Sequence, residues 1–203
     1  MKQLYRNFIQ GKTRVFVAWA FAGATIVCAL HPADKLWVLS GALLAALGAL
    51  LRFWASGYVR KNECLAVGGA YRMVRNPLYF GTFLMALGGS CMVGNLVLVI
   101  AATILFGAIY HFVILDEEVN LVTIFGRPYE EYCLLVPRFF PGMPIAIRKL
   151  VVVNADPEYY LFSWGLAMQN KAYEAPATCL GLFIAIALMR AVGQYLCNYG
   201  HCF

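Results

Sequence analysis

The residue types able to do polar chemistry gather in two stretches of an otherwise apolar chain. Residues 69–81 (GAYRMVRNPLYFG) carry Arg72, Arg75 and Asn76, and residues 116–141 (DEEVNLVTIFGRPYEEYCLLVPRFFP) open on Asp116, Glu117 and Glu118 and close near Arg138. One apolar hairpin, residues 78–115, separates them, so two helical arms bring a basic loop back against an acidic one at a single membrane face. Asn76 followed by Pro77 reads as an N-cap and first helical residue for the first arm. The second arm is expected to end near Leu115, which sets three acids at a helix C-terminus. Negative charge there opposes the macrodipole by about 0.3–1 kcal/mol per exposed group. Either the acids pair with Arg72 and Arg75 and pin the hairpin, or they hold something cationic. His111, on the same helical face as Glu118, is either part of such a site or a buried histidine bonded to a neighbouring helix.

The elements that position these residues are membrane helices. With 62% hydrophobic and 13% charged residues and a mean hydropathy of +0.70, most of the chain cannot be the surface of a soluble domain. A spanning helix needs roughly 20 mainly apolar residues. Five segments approach that length, 15–30, 36–51, 78–93, 96–115 and 176–196, which gives an all-α polytopic membrane protein in one integral domain, with the site at the base of the third and fourth helices. The first segment, preceded by Lys2, Arg6, Lys12 and Arg14, reads as an anchor that stays, because ALHPA at 29–33 is a poor cleavage site. Gly41, Ala45 and Ala49 recur at four-residue spacing and suit close helix packing. Trp37, Trp54 and Tyr58 read as interfacial belt residues.

Lys and Arg crowd the N-terminal tail and the loops at 52–75 and 127–171, whereas the turns on the other side carry only Lys35. The basic side is therefore expected to be cytoplasmic, with the C-terminus outside. Anionic lipid beside those loops accounts for the net charge of +6 without a nucleic-acid partner. The seven cysteines include no CxxC pair, so no metal site is expected. Cys197 and Cys202 follow the last span, where a structural disulfide is feasible in an oxidising compartment. Residues 142–175, broken by Pro144 and rich in aromatics around Tyr160 and Trp164, read as an interfacial cytoplasmic segment.

Gly69, Tyr71, Arg72, Val74, Arg75, Pro77, Tyr79 and Gly81, followed by Glu117, Glu118, Leu121, Phe125, Gly126, Tyr129, Tyr132, Val136, Pro137 and Arg138, resemble the isoprenylcysteine carboxyl methyltransferase family and its phospholipid methyltransferase relatives. The family pattern is G-P-Y-R-x-V-R-H-P-x-Y-x-G, then E-E-x-x-L, then F-G-x-x-Y-x-x-Y-x-x-x-V-P-R. The resemblance covers about residues 65–141, and residues 162–173 resemble a prokaryotic subset with an extra C-terminal helix. Two positions depart: Ala70 replaces a proline, and Asn76 replaces a histidine, which removes a titratable group but keeps a hydrogen-bond donor.

The resemblance implies S-adenosylmethionine-dependent methyl transfer by an integral membrane enzyme, in a prokaryotic inner membrane or, in a eukaryote, the ER membrane. The lipophilic acceptor would enter from the bilayer, and an isoprenylcysteine carboxylate is the leading expectation beside a phospholipid amine. It further implies Gly69, Tyr71, Arg75, Asn76, Tyr79, Gly81, Glu117 and Glu118 around the cofactor, and Tyr129, Tyr132 and Arg138 around the acceptor. Arg75, Arg138 and Glu118 would serve catalysis. Arg75, the backbone donors of residues 68–71 and the N-terminus of the third span suit the cofactor carboxylate. Glu117 or Glu118 suits its ammonium or ribose, and the tyrosines suit the adenine and the sulfonium. A carboxylate acceptor needs orienting, by Arg138, and no general base; an amine or phenol needs one, from Glu118 or Tyr132. A nicotinamide-dependent sterol-reductase-like enzyme and a non-catalytic lipid- or cofactor-binding relative remain as alternatives.

Overall fold

A computed structural model describes residues 12–60, 63–144 and 160–199. It is all-helical: α1 (Lys12–Cys28), α2 (Lys35–Ser56), a 3-10 turn (Gly69–Arg72), α3 (Pro77–Met92), α4 (Leu96–Phe125), α5 (Arg127–Leu135), α6 (Trp164–Gln169) and α7 (Glu174–Asn198). Among the described residues the only extended pairing is an isolated bridge between Arg60 and Cys64. The basic tail at Lys2 and Arg6, the apolar stretch 145–153 and Cys202 lie outside the described residues, and with Cys202 the disulfide expectation.

Among the described residues three helices are long and apolar enough to cross a membrane, α2, α4 and α7, while the apolar stretches Trp19–Cys28 and Pro77–Met92 are shorter. The expected five segments are thus all helical, but two fall short of spanning length. Leu39, Leu43, Leu47 and Leu50 lie 58–63% exposed along one face of α2. A stripe of that kind is paired with lipid chains rather than water.

α4 does not stop near Leu115. It runs on to Phe125, because residues 116–125 contain neither glycine nor proline. Gly126, at φ +58, ends it, and Pro128 opens α5. Asp116, Glu117 and Glu118 therefore sit two turns or more inside the helix, outside the last turn where the macrodipole acts. Their placement needs a different explanation, which the site supplies.

The chain divides into two compact units, 1–46 with 84–113 and 178–203, and 47–83 with 114–177. In the first, Gly41 and Gly88 let backbones touch, since a Cβ on Gly88 would lie 2.5 Å from the Gly41 carbonyl oxygen and from Ala45 N. Ala29, Met92, Val93 and Ile186 form its core. Asn95 caps α4 by accepting from Val97 N at 2.9 Å and Leu98 N at 3.3 Å, and the turn before it needs Gly94 at φ +74. His111 is exposed, with its ring edge against Phe112, and belongs to this unit rather than to the one holding Glu118.

In the second unit, Leu65, Val67, Tyr129, Tyr132, Val136 and Tyr160 form one core, and Ala55, Tyr58, Ala70 and Tyr71 another. Tyr58 is thus a core residue beneath the 3-10 turn rather than an interfacial one. The last carbonyl of α2 and one just beyond it are taken up by Asn170, whose Nδ2 donates to Ser56 O at 3.0 Å and Val59 O at 2.7 Å.

Candidate active site

The second unit stitches the two motif stretches together. Arg75 N donates to Pro137 O at 2.9 Å and Gly142 N to Met73 O at 2.9 Å. Asn76 Nδ2 donates to Arg138 O at 3.0 Å, and the Tyr132 hydroxyl to Tyr71 O at 2.7 Å. Four of these partners are backbone carbonyls, so the pairing of the segments is fixed before any side chain meets another.

The charged centre is Glu118, only 8% exposed. Arg138 grips it as a fork, Nη2 to Oε2 at 2.8 Å and Nε to Oε1 at 3.1 Å, and Arg75 Nη1 reaches Oε1 at 3.1 Å. A buried carboxylate between two guanidiniums satisfies the rule that interior charges are paired. Of the two readings of the acids, pairing with arginine describes Glu118, with Arg75 and Arg138 as the partners. Arg75 Nη1 also donates to Cys133 Sγ at 2.7 Å, while its Nε is buried with no hydrogen-bond partner among the described residues.

Glu117, one residue earlier, points elsewhere. It is exposed and accepts from the Tyr79 hydroxyl at 2.6 Å. Both residues line a cavity of about 370 Å³, together with Arg52, Arg60, Tyr71, Arg75, Asn76, Asn120, Tyr129 and Tyr132. That volume lies within the usual range for small-molecule sites, and a few polar groups converge on it. A larger cavity of about 660 Å³, lined by His31, Arg190 and Asn198 among others, belongs to the first unit and touches none of the motif residues.

The remaining sequence candidates fall outside the cavity lining. Gly69, at φ +53, starts the 3-10 turn, and the Tyr58 ring occupies the space a side chain there would need. Gly81 makes room for its neighbours on α2: a Cβ would lie 2.7 Å from Gly48 O and 2.6 Å from Arg52 Cγ. Both glycines serve packing. Glu118 and Arg138 stand behind or beside the cavity rather than on its wall, and Arg138 keeps 44% of its side chain exposed. Beside Arg138, Phe139 and Phe140 pack edge to face with Phe80, at 5.6 and 6.4 Å between ring centroids.

Arg52, with Arg60 and Asn120, is among the cavity residues that motif reasoning missed. It lies on α2, outside both motif stretches, and its Nη1 donates to Leu78 O at 3.1 Å and to Thr82 Oγ1. Its one sequence signal is a cation directly after an apolar run.

Burial pushes the hydroxyls of Tyr71 and Tyr129 well above the ordinary phenol range, with Glu117 adding to the effect on Tyr71 and Cys133 and Glu118 on Tyr129. Burial does the same to Tyr132, helped by the neighbouring Tyr71 and Tyr129. Tyr132 therefore stays neutral and spends its proton on the Tyr71 carbonyl, and both oxygens of Glu118 are engaged by arginine. Neither group is arranged as a general base. The raised values also set a pH dependence. An unfolded phenol ionises near pH 10 while the folded one does not, so stability is complete below about pH 10 and falls as pH rises above it. We expect the unfolding midpoint in detergent to drop between pH 9.5 and about 11, and less steeply in Tyr132→Phe. An unchanged midpoint across that interval would contradict the buried phenols.

A family comparison bears on these motifs. The model of the family described as phospholipid methyltransferase matches residues 36–128. Residues 36–128 carry the phospholipid methyltransferase pattern. The methyltransferase-like segment runs from α2 through the whole of α4 to the first residues of α5. The resemblance drawn from residues 65–141 is thus supported to residue 128, the match begins earlier by including α2, and Tyr129, Tyr132 and Arg138 lie past its end.

Three curated proteins are similar over parts of the chain. Protein-S-isoprenylcysteine O-methyltransferase of Schizosaccharomyces pombe is 36% identical over 84 residues, 41% of this chain and 36% of that protein. Cobalt-zinc-cadmium resistance protein CzcN of Cupriavidus metallidurans is 32% identical over 107 residues, 52% and 49% of the two chains. Nickel-cobalt-cadmium resistance protein NccN of Alcaligenes xylosoxydans xylosoxydans is 31% identical over 120 residues, 55% of each. The chain spans between about a third and just over half of the length of these relatives. No solved structure matches significantly. Among the described residues, no three His, Cys, Asp or Glu side chains gather as metal ligands would.

Proposed function

We propose that the chain is an S-adenosylmethionine-dependent methyltransferase acting on a lipophilic acceptor, with a carboxylate of isoprenylcysteine type as its target. The observation that carries this reading is the cavity shared by both motif stretches, within a segment matching the phospholipid methyltransferase family. The residues present fit the cofactor. Arg52 and Arg75 suit a carboxylate, Glu117 an ammonium or ribose hydroxyl, and the Tyr71 and Tyr79 rings a flat adenine or a cation. Glu118 leaves the direct contact set proposed from sequence, because its oxygens are spent on Arg75 and Arg138, and it acts by holding both.

When bound, S-adenosylmethionine supplies an electrophilic methyl group on a sulfonium. The chain's own task is to align an acceptor oxygen with that carbon and to keep water away, since positioning and desolvation account for most of such a rate. Arg138 is the residue proposed to orient an acceptor carboxylate, and the Phe80, Phe139 and Phe140 rings beside it suit its hydrocarbon chain. The absence of a general base from the arrangement of Glu118 and Tyr132 favours a carboxylate over an amine, because an ionised carboxylate attacks without losing a proton. A phospholipid amine remains the second reading, supported by the family description.

The placement proposed with it is a single membrane domain with all five apolar helices embedded. Segments 65–81 and 116–141 would face the cytoplasm, as the basic residues favour, and residues 142–175 would lie along the interface. For a bacterial chain this is the inner membrane, and for a eukaryotic one the ER.

The test is the unfolding midpoint of the detergent-purified protein with S-adenosylmethionine, S-adenosylhomocysteine or reduced nicotinamide dinucleotide phosphate. At 100 times the dissociation constant a ligand adds about 2.7 kcal/mol to stability. We expect the two sulfur ligands alone to raise the midpoint, and labelled methyl to pass from S-adenosylmethionine to a farnesylcysteine carboxylate. A rise with the nicotinamide alone would turn the assignment to a reductase. Binding of the sulfur ligands without transfer to any lipid extract would leave a non-catalytic relative.

A further inference from the structure

Arg52 presents a cation to the cavity and makes no salt bridge among the described residues. An arginine at the end of an apolar helix usually turns its head to water. This one is half-buried and held inward, with Nη1 donating to Leu78 O and Thr82 Oγ1 at the start of α3. Gly81 permits the posture, because any side chain there would strike the Arg52 stem. The same cavity is lined by Arg75, whose buried Nε lacks a hydrogen-bond partner among the described residues. Among the described residues Glu117 is the one carboxylate on the lining and is engaged by the Tyr79 hydroxyl, while Arg75 is paired with Glu118 behind the wall. Arg52 is therefore a cation on the lining with no carboxylate paired to it among the described residues, in a partly enclosed space where an anion is the complementary occupant.

We infer that Arg52 and Arg75 form a carboxylate-binding subsite of the cavity, with Arg52 as a specificity residue supplied by α2 from outside both motif stretches. The subsite deepens the methyltransferase proposal and rests on it. Guanidinium suits the task because its planar fork of N–H groups matches the two oxygens of a carboxylate. Two ligands of that reaction bear one: the amino-acid end of the cofactor, and the acceptor.

The experiment measures the affinity of the purified wild-type protein, Arg52→Gln and Arg52→Lys for S-adenosylhomocysteine and for 5′-methylthioadenosine, which lacks the amino-acid end, together with the KM for a farnesylcysteine acceptor. We expect Arg52→Gln to lose at least tenfold in affinity for S-adenosylhomocysteine and to bind methylthioadenosine as the wild type does, with Arg52→Lys between. Unchanged S-adenosylhomocysteine binding with a tenfold rise in acceptor KM would uphold the subsite and assign it to the acceptor. Equal losses for both sulfur ligands, or no change in any of the three constants, would overturn it. Should Arg52→Gln not fold, the lysine variant decides alone, by whether its loss is confined to a carboxylate-bearing ligand. A wild-type protein that binds neither sulfur ligand overturns the methyltransferase reading and the subsite with it, an outcome distinct from losses seen only in the variants.

Discussion

Replacing Glu118 by glutamine is expected to lower the stability of the detergent-solubilised protein by about 3 kcal/mol, the low end for removing one partner of a buried ion pair. The carboxylate is nearly sealed from solvent and holds two guanidiniums, Arg75 at 3.1 Å and Arg138 at 2.8 Å. Glutamine offers one acceptor oxygen, and its amide nitrogen would face a guanidinium with which it cannot bond. Arg75 is left charged and enclosed, whereas Arg138, partly exposed, recovers some hydration, which is why the low end applies. Glu117→Gln is the control. That residue is exposed, its amide oxygen can still accept from Tyr79, and a change within about 1 kcal/mol is expected. Denaturant or thermal unfolding of the two variants side by side reads the difference. Equal stabilities would mean that Glu118 is not the clamp the geometry describes.

Gly81→Val should separate α2 from α3. The new branched side chain would meet Gly48 O and the Arg52 stem at once, and a backbone oxygen cannot rotate out of the way. Overpacking of this kind costs about 1–3 kcal/mol, occasionally more, and here it also dislodges Arg52 from Leu78 O. The expected result is a lower unfolding midpoint together with loss of S-adenosylhomocysteine binding. Gly107→Val is the comparison, because nothing lies within 4 Å of its missing Cβ, and it should behave as the wild type apart from a small helix-propensity cost. A Gly81 variant that loses ligand binding at unchanged stability would restore the glycine to the ligand contacts suggested by sequence.

Much of this arrangement was legible in the residues. The hairpin, the helices themselves and the two polar stretches follow from hydropathy, and the glycine, proline and asparagine at 94, 77 and 95 mark ends that the structure keeps. The end of α4 was misread because hydropathy falls at Asp116 while helical propensity does not. A helix can leave the apolar region and continue, and only Gly126 stops it. The division of labour between Glu117 and Glu118 was equally out of reach. Neighbours on a helix point about 100° apart, and which one meets arginine depends on where Pro137 and Arg138 are tied by backbone bonds. Arg52 was hidden for a third reason: its distance in sequence from both motifs, which only the packing of α2 on α3 removes.

Asn170 gives the boundaries of the family match a different meaning. Its amide closes the end of α2 by donating to Ser56 O and Val59 O, yet it stands more than forty residues beyond the last matched position. The Tyr132 hydroxyl does the same for the 3-10 turn from just past that limit. A fragment trimmed to residues 36–128 would keep Arg52, Arg75, Tyr79 and Glu117 but forfeit the residues that fasten their supports. The match to the family model and autonomy as a folding piece have different borders here, and residues beyond the matched segment act as its latch.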